Sequence, residues 1–138
     1  MLVKDVMTER VIRVSPDSNL QAIAKYMLDG DVGSIPVVED DKLIGMVTDR
    51  DIVIRGLSGT LEIQTLTAQD VMSPSIKYCY DDQPLEDVLK DMAREQIRRL
   101  PVVSREKRLV GIVSLGDLAK SGPQNKAGQA LSEISRDY

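Results

Sequence analysis

The sequence contains no histidine, phenylalanine or tryptophan and has a single cysteine among its 138 residues. One thiol without any histidine excludes disulfide frameworks and zinc sites of the Cys/His kind. Because four tyrosines are the only aromatic residues, base-stacking surfaces like those of RNA-binding modules are not expected. The net charge of −4 argues against duplex DNA, whose binding requires a basic surface that displaces counterions. The composition therefore disfavours nucleic acid as a partner.

Long hydrophobic runs are also absent from the sequence. No stretch approaches the ~18 apolar residues of a membrane span, and the first residues, Met1-Leu2-Val3-Lys4-Asp5, lack the apolar region of a signal peptide. A lone thiol is compatible with a reducing compartment. The hydrophobic content of 42% and the charged content of 29% are typical of soluble globular proteins. We therefore expect a soluble, cytoplasmic protein that does not associate with membranes.

What the sequence does contain is one pattern written twice. The recurring pairs are Asp5-Val6-Met7 with Asp70-Val71-Met72, Ile35-Pro36-Val37-Val38 with Leu100-Pro101-Val102-Val103, and Gly45-Met46-Val47-Thr48 with Gly111-Ile112-Val113-Ser114. An internal repeat predicts architecture directly. Two copies imply two similar units and two similar clefts, related by an approximate two-fold axis.

Hydrophobic spacing predicts the order β-α-β-β-α in each copy. In the first copy we expect a strand over 11–14, an amphipathic helix from Leu20 that ends at Gly30, and strands over 35–38 and 43–48. A second helix should begin near Thr48 and direct Ile52, Val53 and Leu57 inward. The second copy repeats this order, with strands over 76–79, 100–103 and 109–114, a helix that carries Leu85 to Ala93, and a last helix from Ser114.

The predicted fold class is α+β, with a repeat over 1–62, a second repeat over 63–121 and a tail over 122–138. A repeat of roughly 60 residues would bury only about 60% of the surface of its unfolded chain. We therefore expect the repeats to pack sheet to sheet with pseudo-two-fold symmetry. The apolar residues of the tail indicate either a terminal helix on the same core or a contact with a partner subunit; they are Ala127, Ala130, Leu131 and Ile134.

The repeated Thr48-x-x-Asp51 and Ser114-x-x-Asp117 patterns have two interpretations. A helix start with a free hydroxyl can bind an anion, and a carboxylate one turn later can accept hydrogen bonds from a ribose diol. Gly45 and Gly111, which precede them, would let another group approach the backbone closely. Alternatively, a hydroxyl residue followed three positions later by an acid forms a capping box at a helix start. Residue chemistry alone does not decide between these interpretations.

The motifs together resemble a tandem pair of CBS domains, a Bateman module, over about residues 1 to 120. The sequence is similar to small bacterial stand-alone CBS-pair proteins, most clearly in Thr48-Asp49-Arg50-Asp51-Ile52-Val53. This resemblance implies that adenosyl compounds bind in clefts between the copies, with Asp51 and Asp117 on the ribose and with Thr48 and Ser114 near ribose and phosphate. The positions that it implies around the base are Val11, Ile35, Pro36, Ile76, Leu100 and Pro101.

Two arginines are candidates for phosphate contacts. Arg99 precedes Leu100-Pro101, where similar proteins often carry a basic residue, and a guanidinium can donate two parallel hydrogen bonds to phosphate. The alternative for Arg99 is a solvated side chain. Because Ser34 takes its place in the first copy, the two sites should differ in phosphate affinity. Arg50 is the second candidate, with a simple surface charge as its alternative.

No pair of residues suits nucleophilic catalysis. Cys79 aligns with Val14 and is expected to be a small buried hydrophobic residue, because a chain without histidine lacks the usual base for a thiol. Tyr78 and Tyr80 could line a cleft, although strand propensity explains them equally well. We therefore expect no enzymatic activity, no metal site and no required cofactor.

These observations predict a regulatory module that senses an adenosine nucleotide, AMP, ADP or ATP, by a ligand-dependent change of conformation or association. The resemblance also implies a homodimer. Because the sequence shows no effector domain, the output should pass through an unidentified effector protein or through self-association. The alternatives are an interaction scaffold without a small-molecule ligand, an S-adenosylmethionine or NAD binder, a nucleic-acid binder, and an enzyme acting on a nucleotide.

Overall fold

A computed structural model describes residues 1–59 and 62–117 of the chain. The chain divides into two compact units. Among the described residues, unit 1 contains Met1–Val11 and residues 77–117, and unit 2 contains the described part of Ile12–Ile76. The first segment of each sequence repeat thus belongs to the unit built mainly from the other repeat. The division into repeats at residues 62 and 63 stays a prediction about sequence copies, and the predicted tail over 122–138 lies outside the described residues.

Unit 2 is an α/β unit built around one hairpin. Its elements are α1 (Leu20–Gly30), β1 (Ser34–Glu39), β2 (Lys42–Thr48), α2 (Asp49–Asp51), a π-helical stretch (Ile52–Leu57), a 3-10 turn (Ile63–Thr65) and α3 (Ala68–Val71). Asn19 starts α1, since its side chain accepts a hydrogen bond from the Ala22 amide at 2.8 Å. Asp40 and Asp41 form the hairpin turn with positive φ, as two-residue turns between antiparallel strands require.

Unit 1 repeats this plan. Its elements are a 3-10 turn (Val3–Asp5), β3 (Cys79–Tyr80), α4 (Leu85–Glu95), β4 (Arg99–Val103) and β5 (Leu109–Ser114), followed by helical residues 115–117. The strand order is β3-β4-β5, in which β3 runs parallel and β5 antiparallel to β4. The predicted mixture of helices and strands in two sheets is therefore confirmed. Among the described helices, none is long and apolar enough to cross a membrane.

Each unit has its own hydrophobic core. In unit 2, Leu20, Ile23 and Met27 of α1 pack with the hairpin, as the sequence predicts. Ala24 and Leu28, which the spacing places on the same apolar face, are exposed. The buried set is Val14, Leu20, Ile23, Met27, Ile35, Val37, Val47, Leu66, Ala68 and Val71. In unit 1 the equivalent set is Val3, Cys79, Leu85, Val88, Leu89, Met92, Leu100, Val102 and Val113. Val3 and Val71 place the amino-terminal segment of one repeat in each core. The described residues include no buried polar or charged side chain.

The strand predicted over 11–14 is absent. Only Val14 pairs, in a single parallel bridge with Val37: its amide donates to the Pro36 carbonyl at 3.1 Å, and its carbonyl accepts from Val38 at 2.8 Å. Because proline has no amide hydrogen, Pro36 cannot donate the bond that would extend this ladder toward residue 12. Pro101 imposes the same limit in unit 1, where β3 is shorter than the strand predicted over 76–79.

For the second helix of the first copy, the prediction of which side chains face inward is partly wrong. Val53 and Leu57 were expected to face inward, yet they are 53% and 62% exposed, whereas Gly56 is buried. The stretch Ile52–Leu57 is π-helical, and hydrogen bonds from i to i+5 widen the turn. The 3.6-residue spacing behind the prediction therefore does not apply there.

The repeated glycines allow a close backbone approach, and the approaching group is the chain itself. In unit 2, Met46 pairs with Ser73 through amide–carbonyl bonds of 3.1 and 2.9 Å. In unit 1, Ile112 pairs with Thr8 through bonds of 2.9 and 2.8 Å. A Cβ atom at Gly111 would lie 2.9 Å from the Thr8 carbonyl oxygen and 2.7 Å from Met7 Sδ. The expectation that these glycines admit a ligand has no support in this packing.

We predict that Gly111→Ala lowers the free energy of unfolding by about 1–3 kcal/mol, because the added methyl group overlaps a backbone oxygen that cannot move alone. Urea denaturation of the purified protein measures this change. Gly116→Ala is the matched control, since a Cβ there is 3.6 Å from its nearest neighbour, Ser114 Oγ. Equal stability of both variants would contradict the packing described for Gly111.

Candidate CBS ligand sites

The predicted site residues occupy equivalent positions in the two units. In unit 2, Ser34 at the start of β1 lies opposite Thr48 at the end of β2. In unit 1, Arg99 at the start of β4 lies opposite Ser114 at the end of β5. The next residue after each hydroxyl donates its amide to the loop before the first strand, Asp49 to the Gly33 carbonyl at 2.9 Å and Leu115 to the Arg98 carbonyl at 3.1 Å. Each hairpin therefore carries a hydroxyl and a carboxylate at one end.

Both hydroxyl–carboxylate pairs form capping boxes. The Thr48 amide donates to Asp51 Oδ2 at 3.0 Å, and the Asp51 amide donates to Thr48 Oγ1 at 3.0 Å. In unit 1, the same two bonds join Ser114 and Asp117 at 3.1 Å each. The structural interpretation of the repeated pattern is thus realised in both units.

One half of this arrangement, the bond from a backbone amide to a carboxylate three residues later, also occurs outside the predicted sites. The Thr67 amide donates to Asp70 Oδ2 at 2.9 Å, and the Leu2 amide donates to Asp5 Oδ2 at 2.8 Å. The aspartate of the repeated Asp-Val-Met motif is therefore a helix-start residue. The amide–carboxylate bond by itself does not distinguish Asp51 and Asp117 as ligand-binding residues.

The capping boxes leave part of each polar group unused. An ionised carboxylate can accept about four hydrogen bonds through its two oxygens, and the box uses only Oδ2 of Asp51 and Asp117. Thr8 Oγ1 adds a long contact of 3.4 Å to Asp117 Oδ2. The Thr48 and Ser114 hydroxyls act as acceptors in the boxes, so each O–H remains a donor. Capping and ligand binding are therefore compatible at these residues.

Most of the residues predicted to contact the base are buried. Ile35 and Leu100 are only 0% and 4% exposed, and Pro36 and Pro101 are buried beside them. These four residues therefore offer almost no accessible surface to a ligand in the packed state. The last two, Val11 in unit 1 and Ile76 in unit 2, are half-buried. Unit 2 thus contains Ile35, Pro36, Thr48, Arg50, Asp51 and Ile76, and unit 1 contains Val11, Arg99, Leu100, Pro101, Ser114 and Asp117.

A model of the CBS domain matches residues 3–57 and 68–123. The chain belongs to the CBS domain family. It carries two such domains in tandem, as predicted, and CBS pairs are regulatory ligand-binding modules.

The CBS pair has relatives that it matches over nearly their whole length. It is 46% identical over 134 residues to the CBS domain-containing protein YhcV of Bacillus subtilis, covering 96% of this chain and 94% of YhcV. It is 40% identical over 132 residues to hypoxic response protein 1 of Mycobacterium tuberculosis, covering 95% and 92%. Both relatives are stand-alone proteins of the same size class, so the match covers more than a fragment of a larger enzyme.

Solved structures of CBS proteins have the same fold. A crystal structure of hypoxic response protein 1 with two coordinated zinc ions matches with a TM-score of 0.76, covering 87% of this chain and 98% of that one. The CBS domain pair of protein MJ0100, in complex with 5′-methylthioadenosine and S-adenosyl-L-methionine, matches with a TM-score of 0.71 at 26% identity, covering 87% and 94%. Within residues 1–59 and 62–117 of this CBS pair, no group of three His, Cys, Asp or Glu side chains is placed to hold a metal ion.

The arginines of the CBS pair differ in their surroundings. Arg98 and Arg99 are exposed, and neither guanidinium has a hydrogen-bond or ion-pair partner among the described residues. Arg50 is also exposed, and its backbone amide donates to Asp49 Oδ1 at 2.8 Å. These positions leave all three guanidinium groups accessible to an anion.

Sequence reasoning missed Asp49 and Gly33, which lie next to each other in unit 2. A Cβ atom at Gly33 would lie 3.1 Å from Asp49 Oδ2, so the absence of a side chain at Gly33 makes room for this carboxylate. The equivalent residues in unit 1 are Arg98 and Leu115, joined by the same backbone bond. A comparison of the two copies at every aligned position, beyond the shared motifs, would have revealed this exchange.

Cys79, Tyr78 and Tyr80 make contacts that serve packing. Burial raises the pKa of Cys79 to about 12, so the thiol is neutral at physiological pH, and Sγ lies 3.8 Å from the Pro101 carbonyl oxygen. The rings of Tyr78 and Tyr80 meet edge to face at 5.7 Å, and the Arg105 guanidinium lies 4.2 Å from the centre of the Tyr80 ring. Arg105 also pairs with Asp82 at 2.7 Å, and the hydrogen bonds that it donates, together with its positive charge, lower the pKa of that carboxyl group.

Unit 2 also contains a cavity of about 420 Å³, between the first turn of α1 and the chain that follows α2. It includes none of the predicted site residues; its lining consists of Asn19, Leu20, Gln21, Ala24, Ile52, Ile63 and Gln64. The cavity is therefore separate from the hydroxyl–carboxylate end of the hairpin.

We predict that Asp51→Ala, Asp117→Ala and Asp70→Ala each lower the free energy of unfolding by about 1 kcal/mol, because each removes the carboxylate that accepts a backbone amide at a helix start. Urea denaturation at neutral pH provides the measurement. Asp29→Ala is the control, since Asp29 is an exposed residue near the carboxyl end of α1 and should change stability by less than about 0.5 kcal/mol. A loss at Asp70 without a loss at Asp51 would show that the Thr48–Asp51 box contributes nothing.

Proposed function

We propose that this CBS pair is a regulatory sensor that binds an adenosine nucleotide, AMP, ADP or ATP, with Asp51 and Asp117 on the ribose. The observation that carries the proposal is the unused hydrogen-bonding capacity of these two carboxylates. Each box occupies one oxygen and holds the side chain in place, so the second oxygen can accept from a ribose diol without losing the cap. The MJ0100 pair, which binds two adenosyl compounds, supports an adenosyl ligand here.

The surrounding groups suit recognition rather than bond cleavage. The Thr48 and Ser114 hydroxyls can each donate one hydrogen bond to a ligand oxygen, and Arg50 and Arg99 can reach a phosphate through flexible stems. The described residues provide no activated nucleophile, since the one thiol is neutral and buried. Recognition without turnover is the behaviour required of a sensor.

Ligand binding becomes regulation through linkage. A ligand that binds one conformation better than another increases the population of that conformation. At ten times its dissociation constant, a ligand stabilises the state that binds it by about 1.4 kcal/mol. We propose that this shift reaches an unidentified effector protein or a second copy of the chain. An interaction scaffold without a ligand is the alternative, and it predicts no response to any adenosyl compound.

Isothermal titration calorimetry with AMP, ADP, ATP, NAD and S-adenosylmethionine tests the proposal on the wild type, Asp51→Ala and Asp117→Ala. We expect the wild type to bind at least one of the three adenine nucleotides, and each variant to lose about 10-fold or more in affinity for the adenosyl compound that binds at its own site, since hydrogen bonds to a charged group are removed.

Asp70→Ala is the matched control for this titration, because it removes the same kind of amide–carboxylate bond at a helix start outside the predicted sites. It should bind like the wild type. If the wild type binds none of the compounds, or if Asp70→Ala weakens binding as much as Asp51→Ala, the carboxylates act only as caps and the proposal is wrong.

We also propose that the CBS pair forms a homodimer through an apolar patch on unit 2, defined by Val53, Ile54 and Leu57. These side chains are 53%, 51% and 62% exposed within six consecutive residues, and grouped exposed aliphatic residues mark interaction surfaces. A second copy is a suitable occupant, because a two-fold contact lets the same aliphatic side chains pack against one another. The family resemblance points to the same state.

Leu57→Glu should convert a dimer to a monomer, because two buried carboxylates without partners would face each other across the contact. Sedimentation velocity at micromolar concentration measures the change. Leu28→Glu is the control, since Leu28 is 81% exposed on α1 of the same unit and lies outside the patch. A wild type that sediments as a monomer, or a Leu57→Glu variant that remains dimeric, would contradict this use of the patch.

A further inference from the structure

The two candidate sites share one backbone arrangement but carry opposite charges. In both units the residue after the hydroxyl donates its amide to the loop before the first strand, and the first strand residue faces the hydroxyl in register. Differences in ligand preference must therefore come from side chains. Several of these side chains differ in charge between the two units.

Unit 1 presents positive charge at this position. Arg98 and Arg99 stand at the start of β4 and are exposed, without ion-pair partners in the part of the chain that the structure describes. Leu115, which follows the hydroxyl of Ser114, carries no charge. Together with Asp117, the site has one net positive charge and two guanidinium groups that can form parallel hydrogen bonds with phosphate oxygens.

Unit 2 presents negative charge at the equivalent position. Gly33 and Ser34 replace the two arginines, and Asp49 replaces the leucine. The Asp49 carboxylate lies directly over Gly33, where an added Cβ would be 3.1 Å from Oδ2. With Asp51 and Arg50, the site has one net negative charge. A polyphosphate near Thr48 would meet this carboxylate as a like charge, at a cost that grows with each phosphate charge.

From this difference in charge we infer that the two sites select different adenosyl ligands. This inference rests on the proposed function. The unit 1 site takes an adenosine nucleotide with an anionic phosphate chain. The unit 2 site takes an adenosyl compound whose 5′ substituent is neutral or cationic, such as a thioether or a sulfonium. Asp49 and Arg99 are the specificity-determining residues of their sites. The CBS pair thereby binds two classes of metabolite at the same time.

Single-site backgrounds separate the two sites in a calorimetric test. Asp51→Ala leaves the unit 1 site intact, and Asp117→Ala leaves the unit 2 site intact. We expect the first background to bind ATP at least about 10-fold more tightly than 5′-methylthioadenosine, and the second background to show the reverse order. Binding of ATP to unit 1 should also weaken as salt rises, because the attraction is electrostatic and exposed.

Reciprocal substitutions then test the two residues. Arg99→Ser in the Asp51→Ala background should weaken ATP about 10-fold, while Asp49→Leu in the Asp117→Ala background should strengthen it several-fold. The affinity for 5′-methylthioadenosine should change less than about 3-fold in both. Asp49→Asn removes the charge with almost no change of shape, and it serves as the second variant if Asp49→Leu does not fold.

Inorganic tripolyphosphate distinguishes failure of this inference from failure of the proposed function. If no adenosyl compound binds, but tripolyphosphate binds the wild type and is lost in Arg99→Ser, the charge assignment is supported and the adenosine sensor is overturned. If adenosyl compounds bind both backgrounds with the same order of affinity, the sensor is supported and the charge assignment is overturned. If neither tripolyphosphate nor any adenosyl compound binds, both are overturned.

Discussion

The pairing of a short amino-terminal segment with the glycine-bearing strand of each hairpin is the interaction on which the rest of the structure depends. In unit 1 it joins Thr8 to Ile112, and in unit 2 it joins Ser73 to Met46. The absence of a side chain at Gly111 and at Gly45 permits this approach. The pairing covers one edge of the hairpin and holds the strand whose last residue starts the next helix. Both candidate sites lie at that last residue.

The sequence predicts the hairpins and the two long helices correctly, because each of these elements has a regular pattern of burial: continuous in β1 and β4, alternating in β2 and β5, and helical in α1 and α4. The prediction fails where local chemistry interrupts that period. Pro36 limits a strand to one bridge, and the π-helical stretch Ile52–Leu57 turns Leu57 outward. The division into units was also beyond sequence reasoning, since a repeat shows which segments are alike and does not show which of them pack together.

For the candidate sites, the spacing of hydroxyl and carboxylate predicts the capping boxes, and only the family resemblance adds a ligand. Four aspartates accept the backbone amide three residues earlier at helix starts, Asp5, Asp51, Asp70 and Asp117, so this bond alone does not rank them. Motifs shared by the two copies do not reveal the charge of Asp49, because its equivalent in the second copy is the uncharged Leu115. Residues that differ between the copies carry the information on ligand preference, since the copies share one backbone arrangement and differ in the side chains around it.

The assignment of Met1–Val11 to unit 1 and of residues 63–76 to unit 2 has a consequence for the origin of the chain. A single repeat on its own would leave the glycine-bearing strand of its hairpin uncovered, with unpaired amides along an open edge. Two identical single-repeat chains could cover those edges by exchanging their amino-terminal segments, which is a domain-swapped dimer. Fusion of two such genes would give the present arrangement without a change in packing. The present chain contains both partners of that exchange.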